Sequence, residues 1–267
     1  MKKILVFLMS LALCLGILSG CSAAKEEKII KVAASPTPHA WILKTASETL
    51  AEAGWTLEVL EYSDYEAPNH AVAAGEADAN FFQHIPYLDA FNAENGTSLT
   101  AVAKIHYEPF ALYPGTKVAL EDLTIGDKIV VPKDGSNRAR ALMLLESAGL
   151  IKLDEDAGMQ ATILDILENP RGLQIVELDA SQIDDVRDSV AMAVINGNYA
   201  LEAGLFADTD GIVSEDPVNA AMYANVLVVK EGSENSEKTR ALIAALQSEA
   251  VREYIASTFP GSVIPCF

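Results

Sequence analysis

The sequence predicts an α/β protein of two lobes with a cleft between them. Three observations lead there. Short apolar runs alternate with segments of helical periodicity along most of the chain, the pattern of strands and crossover helices. The 267 residues amount to one large or two modest domains at about 150 residues each. Half of the residues are hydrophobic, 21% are charged and 7% aromatic, which excludes a disordered or collagen-like chain.

The first twenty residues read as an export signal. Lys2 and Lys3 precede an uncharged run of 15 residues, Ile4 to Leu18. That is shorter than the roughly 20 apolar residues a spanning helix needs, and it fits a secretory apolar region. The run closes on Leu18-Ser19-Gly20-Cys21, which resembles the lipobox of bacterial lipoprotein signals, where the cysteine thiol takes the lipid. Cleavage before Cys21 removes both lysines and takes the formal charge from −19 to −21. Of three cysteines, Cys14 leaves with the signal and Cys21 carries lipid. Cys266 is then alone, and no internal disulfide forms. Residues 21–28 read as a lipidated tether. The expected location is the extracytoplasmic face of the cell membrane, anchored by lipid and not threaded through.

The elements follow in order. Ile29 to Ala34 is a short apolar strand, and Ser35-Pro36-Thr37-Pro38 a turn. A helix from His39 to Ala53 carries Trp41, Ile42, Ala46 and Leu50 near helical spacing and stops at Gly54. Thr56 to Leu60 is the next strand, Pro68 to Ala74 a helix, Ala77 to Phe82 a strand, Ile85 to Asn95 a helix and Leu99 to His106 a strand. This βαβαβαβ series predicts a parallel-rich sheet with helices on both faces. Beyond it come a strand at Lys128 to Pro132, a helix at Asn137 to Ala148 closed by Gly149, and strands at Gln174 to Leu178 and Ser189 to Ile195. Val226 to Val229 is the last strand, and one helix covers Ser236 to Ser257. Two such units of about 110 residues would face each other across the carboxyl ends of their strands, where parallel α/β sheets bind ligands.

Composition and motifs narrow the function classes. An excess of 19 acidic groups disfavours nucleic acid as a partner, since that binding draws on Lys and Arg neutralising phosphates. No GxSxG, HExxH, P-loop or GxGxxG motif occurs, so the chain reads as a non-enzyme without cofactor. The four histidines, His39, His70, His84 and His106, have no metal-ligand spacing, and no metal is expected. An exported, tethered, two-lobed α/β protein suggests the solute-binding component of an importer.

Two segments make the reading specific: Tyr62-Ser63-Asp64-Tyr65-Glu66-Ala67-Pro68-Asn69, and Asp78-Ala79-Asn80-Phe81-Phe82-Gln83-His84-Ile85-Pro86-Tyr87-Leu88. Here the chain resembles the methionine-binding lipoproteins, the solute receptors of methionine ABC importers. The resemblance continues at Ser136 to Leu142, Leu164 to Pro170, Ala193 to Asn196 and Tyr223 to Asn225, and so covers nearly the whole mature chain. It implies a type II-like periplasmic-binding-protein fold. Lobe I would comprise 29–110 plus 225–267 and lobe II 111–224, with crossings near Glu108–Pro114 and Ala221–Asn225. It also implies L-methionine or a close analogue as ligand, an ABC permease with its ATPase as partner, and a monomer.

Carried over by position, the resemblance marks Tyr65, Phe82, His84, Tyr87, Arg140, Asn196 and Asn225 as ligand contacts. Arg140 offers a planar donor fork for an α-carboxylate. The two asparagines present donor and acceptor for carboxylate and ammonium, and the aromatics wall a slot for a thioether. Residue chemistry alone leaves alternatives. Phe82 and Tyr87 also read as core aromatics, His84 as a structural histidine, Asn196 as a turn residue before Gly197 and Asn225 as a loop cap. Spacing does not choose between Arg138 and Arg140. His106 and Glu108 are expected at the hinge more than at the ligand. Trp41 after Pro38-His39-Ala40, and Ala111 where a glycine is usual, depart from the family pattern. They leave room for D-methionine or a short methionine peptide, and a receptor for another small solute or for a metal ion is the runner-up among binding proteins. A secreted enzyme on the same fold and a surface lipoprotein that binds host or neighbouring proteins are the alternatives from other classes.

Overall fold

A computed structural model describes residues 28–267. The signal at 1–20, the lipidation position Cys21 and all of the tether except Lys28 lie outside the described residues. Among the described residues no helix is long and apolar enough to cross a membrane.

The strands are β1 (Ile29–Ala34), β2 (Thr56–Glu61), β3 (Ala79–His84), β4 (Leu99–Tyr107), β5 (Ala111–Pro114), β6 (Lys128–Pro132), β7 (Lys152–Leu153), β8 (Ile166–Glu168), β9 (Gln174–Leu178), β10 (Met192–Ile195), β11 (Val213–Ser214), β12 (Asn225–Lys230) and β13 (Ile264–Pro265). The helices are α1 (Trp41–Glu52), α2 (Ala67–Ala74), α3 (Ile85–Asn95), α4 (Gly135–Ser147), α5 (Ile183–Arg187), α6 (Gly197–Glu202), α7 (Ala220–Tyr223), α8 (Glu237–Leu246) and α9 (Glu249–Thr258).

Two sheets result. The first is ordered β13-β4-β12-β3-β1-β2 and the second β11-β5-β10-β6-β9, with β7 and β8 paired apart. β1 runs parallel to both β2 and β3, as the βαβ series predicts. β4 does not follow β3 in space, because β12 lies between them and runs antiparallel to both. The chain therefore leaves the first sheet after Tyr107, builds the second from Ala111 to Ser214, and returns to complete the first.

Side-chain alternation decides which helix lies on which face. Val32, Leu227 and Val229 pack with Ile42 and Leu43 of α1, Leu242 of α8 and Val251 of α9. Their neighbours Ala33, Val226 and Val228 point the other way, against Val72 of α2 and Leu88 of α3. In the second sheet, Ile129 and Val131 pack on Leu142 and Leu145 of α4, while Val130 faces Ile183 of α5 and Tyr199 of α6.

The sequence expectations need correction at several places. β3 is shifted two residues along, to end on His84, and β10 begins only at Met192. The helix expected over Ser236 to Ser257 is two helices. Ser248 breaks it: its hydroxyl accepts from the Val251 amide and starts α9, as Ser236 does for α8 with Thr239. A serine inside an apolar periodicity is read as helix by pattern, but its side chain competes for backbone donors. Trp41 lies half-exposed against Phe259 and is not among the residues that line the cavity described below. Ala111 opens β5, wholly buried beside Tyr113 and Ile195.

Candidate functional site

The strand ends converge. β1, β3 and β4 end at Ala34, His84 and Tyr107, β12 begins at Asn225, and across from them β6 and β10 end at Pro132 and Ile195. Between these edges lies a cavity of about 340 Å³, mouth included, lined by Tyr65, Phe82, Gln83, His84, Tyr87, Glu108, Asn137, Arg140, Asn196, Gly197, Asn198 and Asn225. All seven positions marked in the sequence line this one cavity.

One wall is aromatic. The Tyr65 ring lies 5.8 Å from Phe82, 5.6 Å from Tyr87 and 5.0 Å from Tyr199, centre to centre. Tyr87 donates from its hydroxyl to the Tyr65 carbonyl at 3.1 Å. Tyr65 in turn donates to Asn198 Oδ1 at 2.5 Å, and Tyr199 to the Ser63 carbonyl at 2.8 Å. Both of these last bonds join the two sheets' edges across the cavity.

The opposite wall is polar, and each amide in it has its polarity set by a neighbour. Asp134 caps α4, accepting from the Asn137 amide at 3.0 Å and from Asn137 Nδ2 at 2.9 Å. Asn137 Oδ1 is thereby turned toward the cavity, where it accepts from His84 Nε2 at 3.1 Å and Asn196 Nδ2 at 3.0 Å. Asn196 must then present its Oδ1 away from Asn137, and that buried atom has no partner among the described residues. Asn198 Oδ1 is taken by Tyr65, so its buried Nδ2 is the end left without one. Asn225 turns its Oδ1 to His39 Nε2 at 3.2 Å. The cavity thus meets an unpaired acceptor and unpaired donors in fixed places.

His84 caps α3, its Nδ1 accepting from the Tyr87 amide at 3.2 Å. With Nε2 given to Asn137, both ring nitrogens are engaged and only the ring itself borders the cavity. Burial, with the Arg140 charge adding to it, lowers its pKa to about 3, so the ring is neutral.

Arg140 is buried on α4 and departs from the simplest expectation of a free fork. Its Nε and Nη2 are bound to Glu215 at 2.7 and 2.5 Å, and Nη2 also donates to the Glu108 carbonyl at 3.0 Å. The guanidinium carbon lies 4.2 Å from the Tyr223 ring centre and 4.6 Å from that of Phe110. Nη1 is the nitrogen these contacts leave for anything in the cavity.

Glu108, expected at the hinge, also lines the cavity. Its Oε1 accepts from His106 Nε2 at 2.7 Å and lies 3.5 Å from His39 Nε2. Burial raises its pKa, and nearby His39 and Arg140 work against that rise. His39, His106 and Glu108 are the one group of potential metal ligands among the described residues, with donor atoms within 4.8 Å of one another. The 2.7 Å contact between His106 and Glu108 has hydrogen-bond length.

Sequence reading missed Asn137, Asn198, Gly197 and Glu215. Asn137 carries a local signal, since Asp134 three residues before it is a helix-cap pattern. Asn198 shares the Asn196-Gly197-Asn198 turn. Glu215 has no local signal, because it meets Arg140 from 75 positions away.

The profile of the NlpA lipoprotein family matches residues 30–267. The chain belongs to the NlpA lipoprotein family. It is 39% identical to a methionine-binding lipoprotein, MetQ, of Bacillus subtilis, over 98% of this chain and 96% of that one. Among solved structures it resembles a lipoprotein from Ruminococcus gnavus, 50% identical with a TM-score of 0.88 over 90% of this chain and 100% of the other. It also resembles a nutrient-binding protein from Burkholderia cenocepacia bound to methionine, 39% identical with a TM-score of 0.86 over 89% and 100%. The NlpA lipoprotein fold here is the two-lobed periplasmic-binding-protein fold, and the family is one of substrate-binding lipoproteins and not of enzymes.

Proposed function

We propose that this chain is a lipid-anchored extracytoplasmic receptor that captures methionine between its lobes and delivers it to an ABC importer. The observation that carries the reading is the fixed polarity of the buried cavity. Asn196 Oδ1 and the Glu108 carboxylate accept, which suits an α-ammonium. Arg140 Nη1, Asn198 Nδ2 and Asn225 Nδ2 donate, which suits an α-carboxylate. The wall of Tyr65, Phe82 and Tyr87 suits a thioether, because sulfur packs favourably against aromatic rings. Relatives named for methionine binding, and a similar structure bound to methionine, support the same ligand.

Lobe I is taken as 29–110 plus 225–267 and lobe II as 111–224. This division is supported by the strand membership of the two sheets, and the crossings are taken near Glu108–Pro114 and Ala221–Asn225. The ligand closes the lobes by shifting the population toward the form in which both edges touch it. Cys21 carries the anchoring lipid, and the receptor acts as a monomer beside its permease. The test is equilibrium dialysis of ligand-stripped protein against a mixture of the common amino acids, with the retained solute identified by mass spectrometry. Selective retention of methionine is expected; retention of a different solute, or of none, overturns the reading.

A further inference from the structure

His39 is wholly buried in the turn after β1 and is not itself among the residues that line the cavity. Its Nδ1 lies 2.7 Å from Ser35 Oγ. Its Nε2 faces two oxygens, Asn225 Oδ1 at 3.2 Å and Glu108 Oε1 at 3.5 Å. Burial lowers its pKa to about 4, so the ring carries one proton. The two oxygens beside Nε2 favour the proton there, with Nδ1 accepting from the Ser35 hydroxyl, and the Thr37 backbone carbonyl is a further acceptor for the ring. A donor at Nε2 rejects the flipped Asn225 amide, whose Nδ2 would then meet another N–H. Glu108 thus favours this tautomer of His39, and the tautomer fixes the amide.

We propose that Ser35 and His39 are positioning residues that hold Asn225 with its Nδ2 toward the ligand, and so set the cavity's preference for a carboxylate at that end. The proposal rests on the amino-acid-binding reading above and adds the source of its polarity. Asp134 and Asn137 do the same for Asn196 with the opposite sign, so the two asparagines are held as one acceptor and one donor. Ser35 and His39 do not line the cavity and act on it one bond removed, whereas Asn137 does line it and is itself held by the Asp134 helix cap.

The test compares L-methionine with L-methioninamide, which keeps the ammonium and loses the carboxylate. Wild type is expected to prefer methionine strongly. His39→Leu, which removes the donor at similar size, should narrow that preference by roughly ten- to a hundredfold, the worth of a hydrogen bond to a charged group. His39→Gln places an N–H near the position of Nε2 and should keep the preference within about threefold. Folding of each variant is checked by circular dichroism and thermal midpoint. A folded His39→Leu protein with the wild-type preference overturns the proposal. The second readout needs no ligand: the long-range nitrogen–proton spectrum of the wild-type histidines should show His39 as the Nε2–H tautomer. An Nδ1–H tautomer overturns the proposal by itself. Wild type that binds neither compound would instead defeat the amino-acid reading, and the spectrum would still decide the relay.

Discussion

Arg140 and Glu215 form a two-point ion pair, Nε to Oε1 at 2.7 Å and Nη2 to Oε2 at 2.5 Å, although both are buried and 75 positions apart. Glu215 also accepts from the Tyr107 hydroxyl at 2.7 Å and the Phe110 amide at 3.3 Å. It therefore ties the return segment after β11 to the first crossing between lobes and holds the guanidinium with Nη1 toward the cavity. Glu215→Leu should lower the unfolding free energy by about 3–5 kcal/mol, the cost of leaving one member of a buried pair. Adding Arg140→Leu should recover part of that loss and restore no methionine binding. Urea titrations of the single and double variants measure the first, and calorimetry the second.

Asn198 gives a test that separates binding from stability. Asn198→Asp keeps an oxygen for Tyr65 and replaces the unpaired donor with an acceptor. Methionine affinity should fall by roughly ten- to a hundredfold, while the thermal midpoint of the ligand-free protein moves little. Unchanged affinity would remove Asn198 from the carboxylate end.

Gly197 stands where a side chain does not fit. A Cβ there would come within 2.6 Å of Glu108 Cβ and 2.9 Å of its Oε2. Gly197→Ala should push Glu108 from the ammonium position and weaken methionine by about tenfold or more, and Gly197→Val by more still. A titration showing wild-type affinity for the alanine variant would contradict the placement of Glu108.

The buried histidines predict a pH dependence with a definite sign. Burial lowers the pKa of His106 to about 3 in the folded protein, against roughly 6.5 in the unfolded chain. Between these values the unfolded state binds the proton and the folded state does not, so His106 costs stability as pH falls from about 6.5 toward 3. His106→Gln keeps a donor for Glu108 and removes this titration. Relative to wild type, the variant should gain stability on acidification, by up to about 1.4 kcal/mol per pH unit in that window, and show no pH-dependent difference above it. Paired urea titrations across the range measure it; a difference that stays constant below pH 6.5 would count against the assignment.

Much of the fold was legible because the signals are local. The apolar runs at Ile29 to Ala34 and Lys128 to Pro132 are local signals, and the helix from Ile85 to Asn95 is bounded by the His84 cap with Pro86 and by Gly96. What was not legible depends on distant partners. The antiparallel insertion of β12 between β3 and β4 follows from a return of the chain more than a hundred residues later. β5 and β11 are short and pair only with each other and β10. At the cavity, the seven positions came from the resemblance and not from residue chemistry, and all seven line it. Their orientations were beyond reach, because the polarity of Asn196 and Asn225 is decided by Asn137 and His39, and the free edge of Arg140 by Glu215.

The central claim is tested most directly by calorimetric titration of L-methionine into the domain from Ser22 onward, after unfolding and refolding to strip bound ligand. The account predicts one-to-one binding that is weakened at least tenfold by Asn225→Ala, the loss of one charge-assisted hydrogen bond. Absence of binding by either L- or D-methionine to the folded domain would contradict it.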